Sequence, residues 1–306
     1  MRNQLGYTLA ELLIASMLGL LLSASILSVL YASMQSYNLK QADEQIQENA
    51  ALAVHFLQQD IETIGFSGCL REGLQNVILS SKGSVAELLT SNGLIKANER
   101  KFKQSDSISF VALAGSAEDV ISDMAYVHSD IDLTDGTSIS KGQEVLITDC
   151  HNGDVFQVSK VWNNRLSHSS DVNLQGNLSS LYPRGAVVFP LAVVEYKVAI
   201  GAGGKPGLYR KSGRSHFQEL VPNVLQLTFS YSTRNPETGA ISNHRTLESA
   251  GEQVLIGVDI ELLLMSQKEV MPSPMMLPSI EKVAQIAKDR RLYKAYQLSV
   301  SLLNNR

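Results

Sequence analysis

The sequence predicts an α+β protein: one long N-terminal helix, apolar in its first half and amphipathic in its second, laid on a head of antiparallel β-sheet. Three observations carry that expectation. No Asp, Glu, Lys or Arg stands between Glu11 and Lys40. Apolar residues then recur at helical spacing from Ile46 to Ile64, and much of the remaining chain consists of short apolar or alternating segments separated by Gly, Ser, Asn and Asp.

The helix comes first. Leu12 to Ala32 is mostly Leu, Ile, Ala, Ser and Met, and about 21 residues rising about 1.5 Å each match a bilayer core of roughly 30 Å. This half can span a membrane. No Pro precedes Pro183, and Gly19 is the single Gly between Tyr7 and Gly65, a residue that membrane helices tolerate. Past the polar patch Gln35 to Asn38, the residues Ile46, Ala50, Ala53, Leu57, Ile61 and Ile64 are three or four apart and trace one stripe, opposed by Glu44, Glu48, Gln58, Gln59 and Glu62. Gly65 follows as a C′ glycine. The stripe is too short for a coiled coil, so packing on the chain's own sheet is the expected use. A helix from Tyr7 to about Ile64 would be about 85 Å long.

The front end is unusual. A secretory signal peptide is cut behind its apolar segment, whereas here the basic leader Met1-Arg2-Asn3-Gln4-Leu5-Gly6 lies in front of it. Cutting after Gly6 would keep the helix on the mature protein and leave Glu11 at the edge of a hydrophobic segment, where an unpaired carboxylate costs at least about 2–3 kcal/mol. The stretch Gly6-Tyr7-Thr8-Leu9-Ala10-Glu11-Leu12-Leu13-Ile14-Ala15 resembles the class III signal of type IV prepilins and pseudopilins. Tyr7 stands where Phe is usual and Ala10 where a larger apolar residue is common, and both keep the apolar or aromatic character. The resemblance implies that a prepilin peptidase cleaves after Gly6 and N-methylates Tyr7. It also implies that Glu11 pairs with the N-terminal amine of a neighbouring subunit. An ordinary signal anchor with an incidental Glu is the alternative.

The chain divides accordingly into a leader (1–6), an apolar half-helix (7–34), an amphipathic half-helix (35–65) and an exported head (66–306). Its 26 Lys and Arg against 30 Asp and Glu give a net charge of −4 with no basic tract, which argues against a nucleic-acid surface. Cys69 and Cys150 form no Cys-x-x-Cys pair and have no His at zinc-finger spacing. In an oxidising exterior compartment two such thiols most simply form a disulfide, worth about 4 kcal/mol in the chain-entropy model. Two unpaired buried thiols are the alternative.

A second set of stretches is similar to PilW-type minor pilins. These are Gln47-Glu48-Asn49, Phe56-Leu57, Asp60, Gly65-Phe66-Ser67-Gly68-Cys69, the run Leu146 to Val158, Leu208-Tyr209-Arg210 with Glu219-Leu220-Val221 and Val224 to Tyr231, and the closing Arg290-Arg291-Leu292 to Asn304-Asn305-Arg306. Loops 70–105, 161–182 and 269–288 have no recognisable counterpart. The resemblance implies a lollipop-shaped pilin-like fold, Cys150 as the partner of Cys69, and a priming role in pilus assembly. The implied partners are other minor pilins, the major pilin, the prepilin peptidase, the assembly platform and a large tip adhesin. The implied location is the inner membrane as a precursor with its head in the periplasm, then the filament. No cofactor is implied.

Strands are expected at Ser107–Leu113, Gln143–Asp149 and Asp154–Trp162, the last two joined by a Cys150–Gly153 turn. Others follow at Ala186–Phe189, Ala192–Ile200, Gly207–Lys211, Val224–Tyr231, Val254–Met265 and Leu292–Leu303. In the last two, Ile256, Val258, Ile260, Leu262 and Leu264 oppose Asp259 and Glu261, and Tyr296, Leu298, Val300 and Leu302 oppose Gln297, Ser299 and Ser301, as in half-buried antiparallel strands. Residues 70–105 read as irregular, with a short helix near Val85 to Leu89.

Catalytic and metal patterns are weak. Asp149, Cys150 and His151 are consecutive, and adjacent strand residues point to opposite faces rather than building a triad. Asp130 to Gly136 has calcium-loop composition without EF-hand spacing, and Gly201 to Gly207 places Pro206 where a phosphate loop needs Ser or Thr. Met271 to Pro278 suits either an adaptable contact surface or a cover for one edge of the head. No enzyme and no metal site are expected. A minor pseudopilin of type II secretion and a ligand-binding adhesin subunit are the rival functions.

Overall fold

The computed structural model describes residues 9–70, 77–92, 95–98, 105–201, 203–251, 253–278 and 285–302. Helix α1 runs from Leu9 to Ile61, 53 residues, or about 80 Å. Beyond Ile61 the chain makes one tighter turn, with Ile64 N–H donating to Ile61 O at 3.0 Å, and Gly65 leaves it at φ 75°. A side chain would be strained in that conformation. From Leu9 to Tyr37 the large apolar side chains are 53–79% exposed. Further along, Ala42, Ile46, Ala50, Ala53, Leu57 and Ile61 are buried, so the helical stripe is the face that meets the head.

The head begins with β1 (Ile78–Leu79), α2 (Ser84–Asn92), β2 (Ile95–Asn98), β3 (Ser107–Leu113), β4 (Glu118–Asp119), β5 (Ile131–Asp132), β6 (Glu144–Thr148), β7 (Gly153–Gln157), β8 (Lys160–Trp162) and β9 (Arg165–Ser167). It continues with β10 (Val187–Ile200), β11 (Pro206–Ser212), β12 (Gln218–Pro222), β13 (Val224–Arg234), β14 (Ile241–His244), α3 (Leu247–Ala250), β15 (Val254–Glu269) and β16 (Arg291–Ser301). Among the described residues, nine strands form a sheet ordered β1-β7-β6-β10-β11-β12, with β3 and β4 also on β10 and β2 on β3. A four-stranded sheet runs β14-β13-β15-β16 and a three-stranded one β5-β9-β8. The one parallel pairing among the named strands is β1 with β7. The α+β architecture read from the sequence, a long N-terminal helix followed by an antiparallel-rich head, is the one observed.

Strands β13 and β15 run on past their expected ends, to Arg234 and Glu269, and two larger differences from expectation have physical reasons. The segments Ala186–Phe189 and Ala192–Ile200 are one 14-residue strand, β10, that runs through Pro190. The Pro190 carbonyl accepts Ala114 N–H at 2.8 Å, so its nitrogen faces the interval between β3 and β4, where no ladder donor is needed. Conversely, Asp154–Trp162 is broken after Gln157. There the buried Asn173 amide bonds both Gln157 N–H (2.7 Å) and Gln157 O (2.9 Å) in place of a strand partner, and the chain turns away to form β8.

The main core lies between the α1 stripe and two sheets. Phe110, Tyr196 and Leu208 come from the nine-stranded sheet, and Phe229, Ile260 and Leu262 from the four-stranded one. Strand β15 alternates as expected at first, but Leu263 and Met265 on its other face are also buried, packed with Met275 and Leu277. The Met-Pro loop therefore covers this end of the sheet, while Met276 stays 63% exposed. A second core, with Ile131, Val145, Phe156, Leu166 and Tyr182, joins the three-stranded sheet to the central one.

Candidate assembly site

The exposed half of α1 is prepared for an apolar medium by its own backbone. Ser16, Ser23, Ser25 and Ser28 each donate a hydroxyl to a carbonyl three or four residues back, at 2.7–2.9 Å. Their polar atoms are thereby satisfied inside the helix and the outer surface stays apolar. The segment is long and apolar enough to cross a membrane. Glu11 lies in the first turn of α1, where the helix dipole favours a carboxylate. Gly6 and Tyr7 lie outside the described residues.

The second half is held to the head by polar ties at both ends of the stripe. Near the exposed half, Asp43 pairs with Lys294 of β16. Midway, Asn49 Nδ2 donates to Pro222 O at 3.2 Å. At the far end, Asp60 takes Arg210 Nε at 2.6 Å, Arg210 Nη2 at 3.1 Å and the Tyr196 hydroxyl at 2.6 Å. Burial pushes the Tyr196 phenol well above its ordinary value, and the Asp60 carboxylate pushes it further. Burial pulls the Arg210 guanidinium down, but the hydrogen bonds and charge of Asp60 outweigh it and hold the group above its usual range. Asp60 and Arg210 both fall in the PilW-like stretches, yet no spacing in the sequence links positions 150 residues apart. This clamp is the part of the site that sequence reasoning missed.

Cys69 and Cys150 are joined by a disulfide, with Cα atoms 4.7 Å apart and a sequence separation of 81. It ties the segment just past α1 to the β6–β7 hairpin. On the helix side, Gly68 has φ +65°, and a Cβ there would meet Phe189 Cε2 at 2.7 Å, so the Gly-aromatic-x-Gly-Cys pattern has a steric basis. On the hairpin side, Cys150 has φ 72°, and Asp149 Oδ1 accepts the N–H groups of His151 (2.9 Å) and Asn152 (2.6 Å). Burial raises the Asp149 carboxyl, but these bonds bring it below its ordinary value. The Asp149-Cys150-His151 run is thus a turn with its sulfur already bonded, and it offers no thiolate nucleophile. The calcium-like loop is engaged as well, since Asp132 pairs with Arg165 and Asp135 accepts Asn164 Nδ2 at 2.8 Å. Gly201 to Pro206 closes the β10–β11 hairpin, with Gly201 N–H on Lys205 O at 2.9 Å.

No family model and no curated protein matches the chain. Among solved structures it is similar to a type IV-like pilin from Thermus thermophilus. That likeness covers 85% of this chain and 98% of the other, with a TM-score of 0.39 and 9% identity. An overlap of this extent assigns neither family nor function, and the architecture rests on the helix and sheets described above.

Proposed function

We propose that the chain is a minor subunit of a type IV pilus, of the PilW type, that helps to prime assembly. The precursor sits in the inner membrane with its head in the periplasm. A prepilin peptidase removes residues 1–6 and methylates Tyr7, and residues 7–34 then pass from lipid into the filament core. Residues 35–65 join that half-helix to the head formed by residues 66–306.

One observation carries this reading: an apolar half-helix from Leu9 to Met34, exposed along its length, bears a single Asp, Glu, Lys or Arg, Glu11, in its first turn. The helix dipole offsets part of the cost of that carboxylate in apolar surroundings, and a filament subunit can offset more of it by pairing the group with the terminal amine of its neighbour. The mechanism is packing, with no chemical step assigned. Partners on this reading are other minor pilins, the major pilin, the assembly platform and a tip adhesin.

Glu11→Val is the direct test. Leader removal should continue, read by mass spectrometry of the mature N-terminus, while incorporation into sheared filaments falls sharply. Wild-type incorporation in that variant would refute the pairing. Deleting the gene should abolish surface pili and leave protein secretion unchanged. Normal pili with blocked secretion would instead favour a type II secretion pseudopilin.

A further inference from the structure

The three-stranded sheet β8–β9–β5 has two unlike faces. Val161, Leu166 and Ile131 point into the second core. Strand alternation puts Lys160, Trp162, Arg165 and Asp132 on the opposite face, with Trp162, Arg165 and Asp132 in register across the three strands. Trp162 is the only Trp of the chain and is 40% exposed, whereas Phe156 and Tyr182 in the core beneath are fully buried.

This face is organised rather than merely solvated. Trp162 Nε1 donates to Asp130 Oδ2 at 3.3 Å, while Arg165 Cζ and Lys160 Nζ lie over the indole ring as cation–π partners, 5.3 and 5.7 Å from its centroid. Arg165 is paired with Asp132, and Asp132 Oδ2 also takes the Ser122 hydroxyl at 2.8 Å. The β8–β9 turn, Asn163-Asn164, has φ 44° and 59°, the left-handed pair of a tight two-residue hairpin. Asn164 is itself fixed by Asp135 and by Gly136 N–H. An aromatic plane is thus held at a set angle beside carboxylates and a guanidinium with donors to spare.

We infer that this face binds an uncharged saccharide. The flat C–H side of a pyranose would displace the flexible Lys160 side chain from over the Trp162 ring and lie there, and its hydroxyls, which both donate and accept, would meet Asp130, Asp132 and Arg165. A polyphosphate would be repelled by Asp130, Asp132 and Asp135, which outnumber Lys160 and Arg165. A lipid or apolar peptide would find one ring among charges. Because the side chains already hold each other, little order has to be created on binding. The inference does not depend on the filament reading, and its test uses no filament.

The single Trp makes its own emission the probe. The full chain, in dodecylphosphocholine micelles that carry no sugar, is titrated with lactose, cellobiose, N,N′-diacetylchitobiose and methyl α-mannopyranoside up to roughly 50 mM, a range that covers mM affinities. At least one probe should give a saturable emission change, weakened about tenfold or more in Asp130→Ala and in Arg165→Ala. Asp130→Asn and Arg165→Gln stand in if circular dichroism shows that an Ala variant has lost its fold. No saturable response to any of the four sugars overturns the inference, as does a response that is undiminished in both variants. A response to heparin or to an oligonucleotide with none to the neutral sugars would make the face an anion site and also overturn it.

Discussion

Replacing Asp60 by Ala should loosen α1 from the head at the end farthest from its exposed half. The substitution removes two guanidinium hydrogen bonds and one phenol hydrogen bond at a place where the Asp60 and Arg210 side chains are 17% and 28% exposed. A charge-assisted hydrogen bond is worth about 1.5–3 kcal/mol, and breaking a fully buried pair costs about 3–5 kcal/mol. Arg210 keeps enough exposure to recover part of its hydration, and the Tyr196 hydroxyl keeps Phe56 O at 3.2 Å. The expected loss is therefore about 2–3 kcal/mol, a fall in Tm of roughly 5–10 °C for a domain of this size. Thermal melts of Asp60→Ala, Arg210→Met and the double variant, followed by circular dichroism in micelles, measure it. The double variant should be no worse than the worse single one, with a coupling of about 1.5 kcal/mol or more. A loss under about 0.5 kcal/mol for Asp60→Ala, or additivity within about 0.5 kcal/mol, would refute the clamp.

Replacing Cys69 and Cys150 together by Ser should lower stability by about 4 kcal/mol, since the closed loop is long, and an unchanged urea midpoint would show that the bridge constrains nothing. Leu57→Ala, at a fully buried position on the stripe, should cost about 2–5 kcal/mol, whereas Leu52→Ala, 48% exposed on the same helix, should stay within about 0.5 kcal/mol. Equal effects would mean that the stripe is not the packed face. Because the Asp149 carboxyl lies below its ordinary value in the folded chain, the unfolded chain takes up that proton first as pH falls. Its contribution is complete above about pH 4 and is lost as pH drops through the lower folded value. Melts on the acid side should therefore fall more steeply for the parent than for Asp149→Asn, and parallel curves would count against this.

The helix was legible because its information is local. One side of α1 must meet the sheets, so Ile46, Ala50, Ala53, Leu57, Ile61 and Ile64 repeat every three or four residues, and all of them are buried. Strands with one wet face were legible for the same reason, as in β16, where Gln297, Ser299 and Ser301 are exposed between Tyr296, Leu298, Val300 and Leu302. What escaped depends on partners distant in sequence. The short β12 and β14 are absent from the expected strands, because only their pairing with β11 and β13 makes them strands. The continuity of β10 through Pro190 depends on the gap between β3 and β4, and the second burial of β15 at Leu263 and Met265 depends on a loop that folds back over it. The Asp60–Arg210 tie and the Trp162 face are of this kind too, each assembled from residues whose types alone suggest ordinary surface.

The disulfide also decides how the chain carries tension. Residue 69 follows the end of α1 by a few positions and is covalently joined to residue 150 at the tip of the β6–β7 hairpin. A load entering along α1 and leaving anywhere in residues 151–306 therefore passes through the sulfurs, and residues 70–149 lie in parallel with it rather than in series. That bypassed stretch includes the short, sparsely paired β1, β2 and β4, which would otherwise be the first to peel. With the bridge intact the pull arrives instead on β7, inside the nine-stranded sheet, so the extensible length of the head is shortened before any hydrogen bond there has to yield.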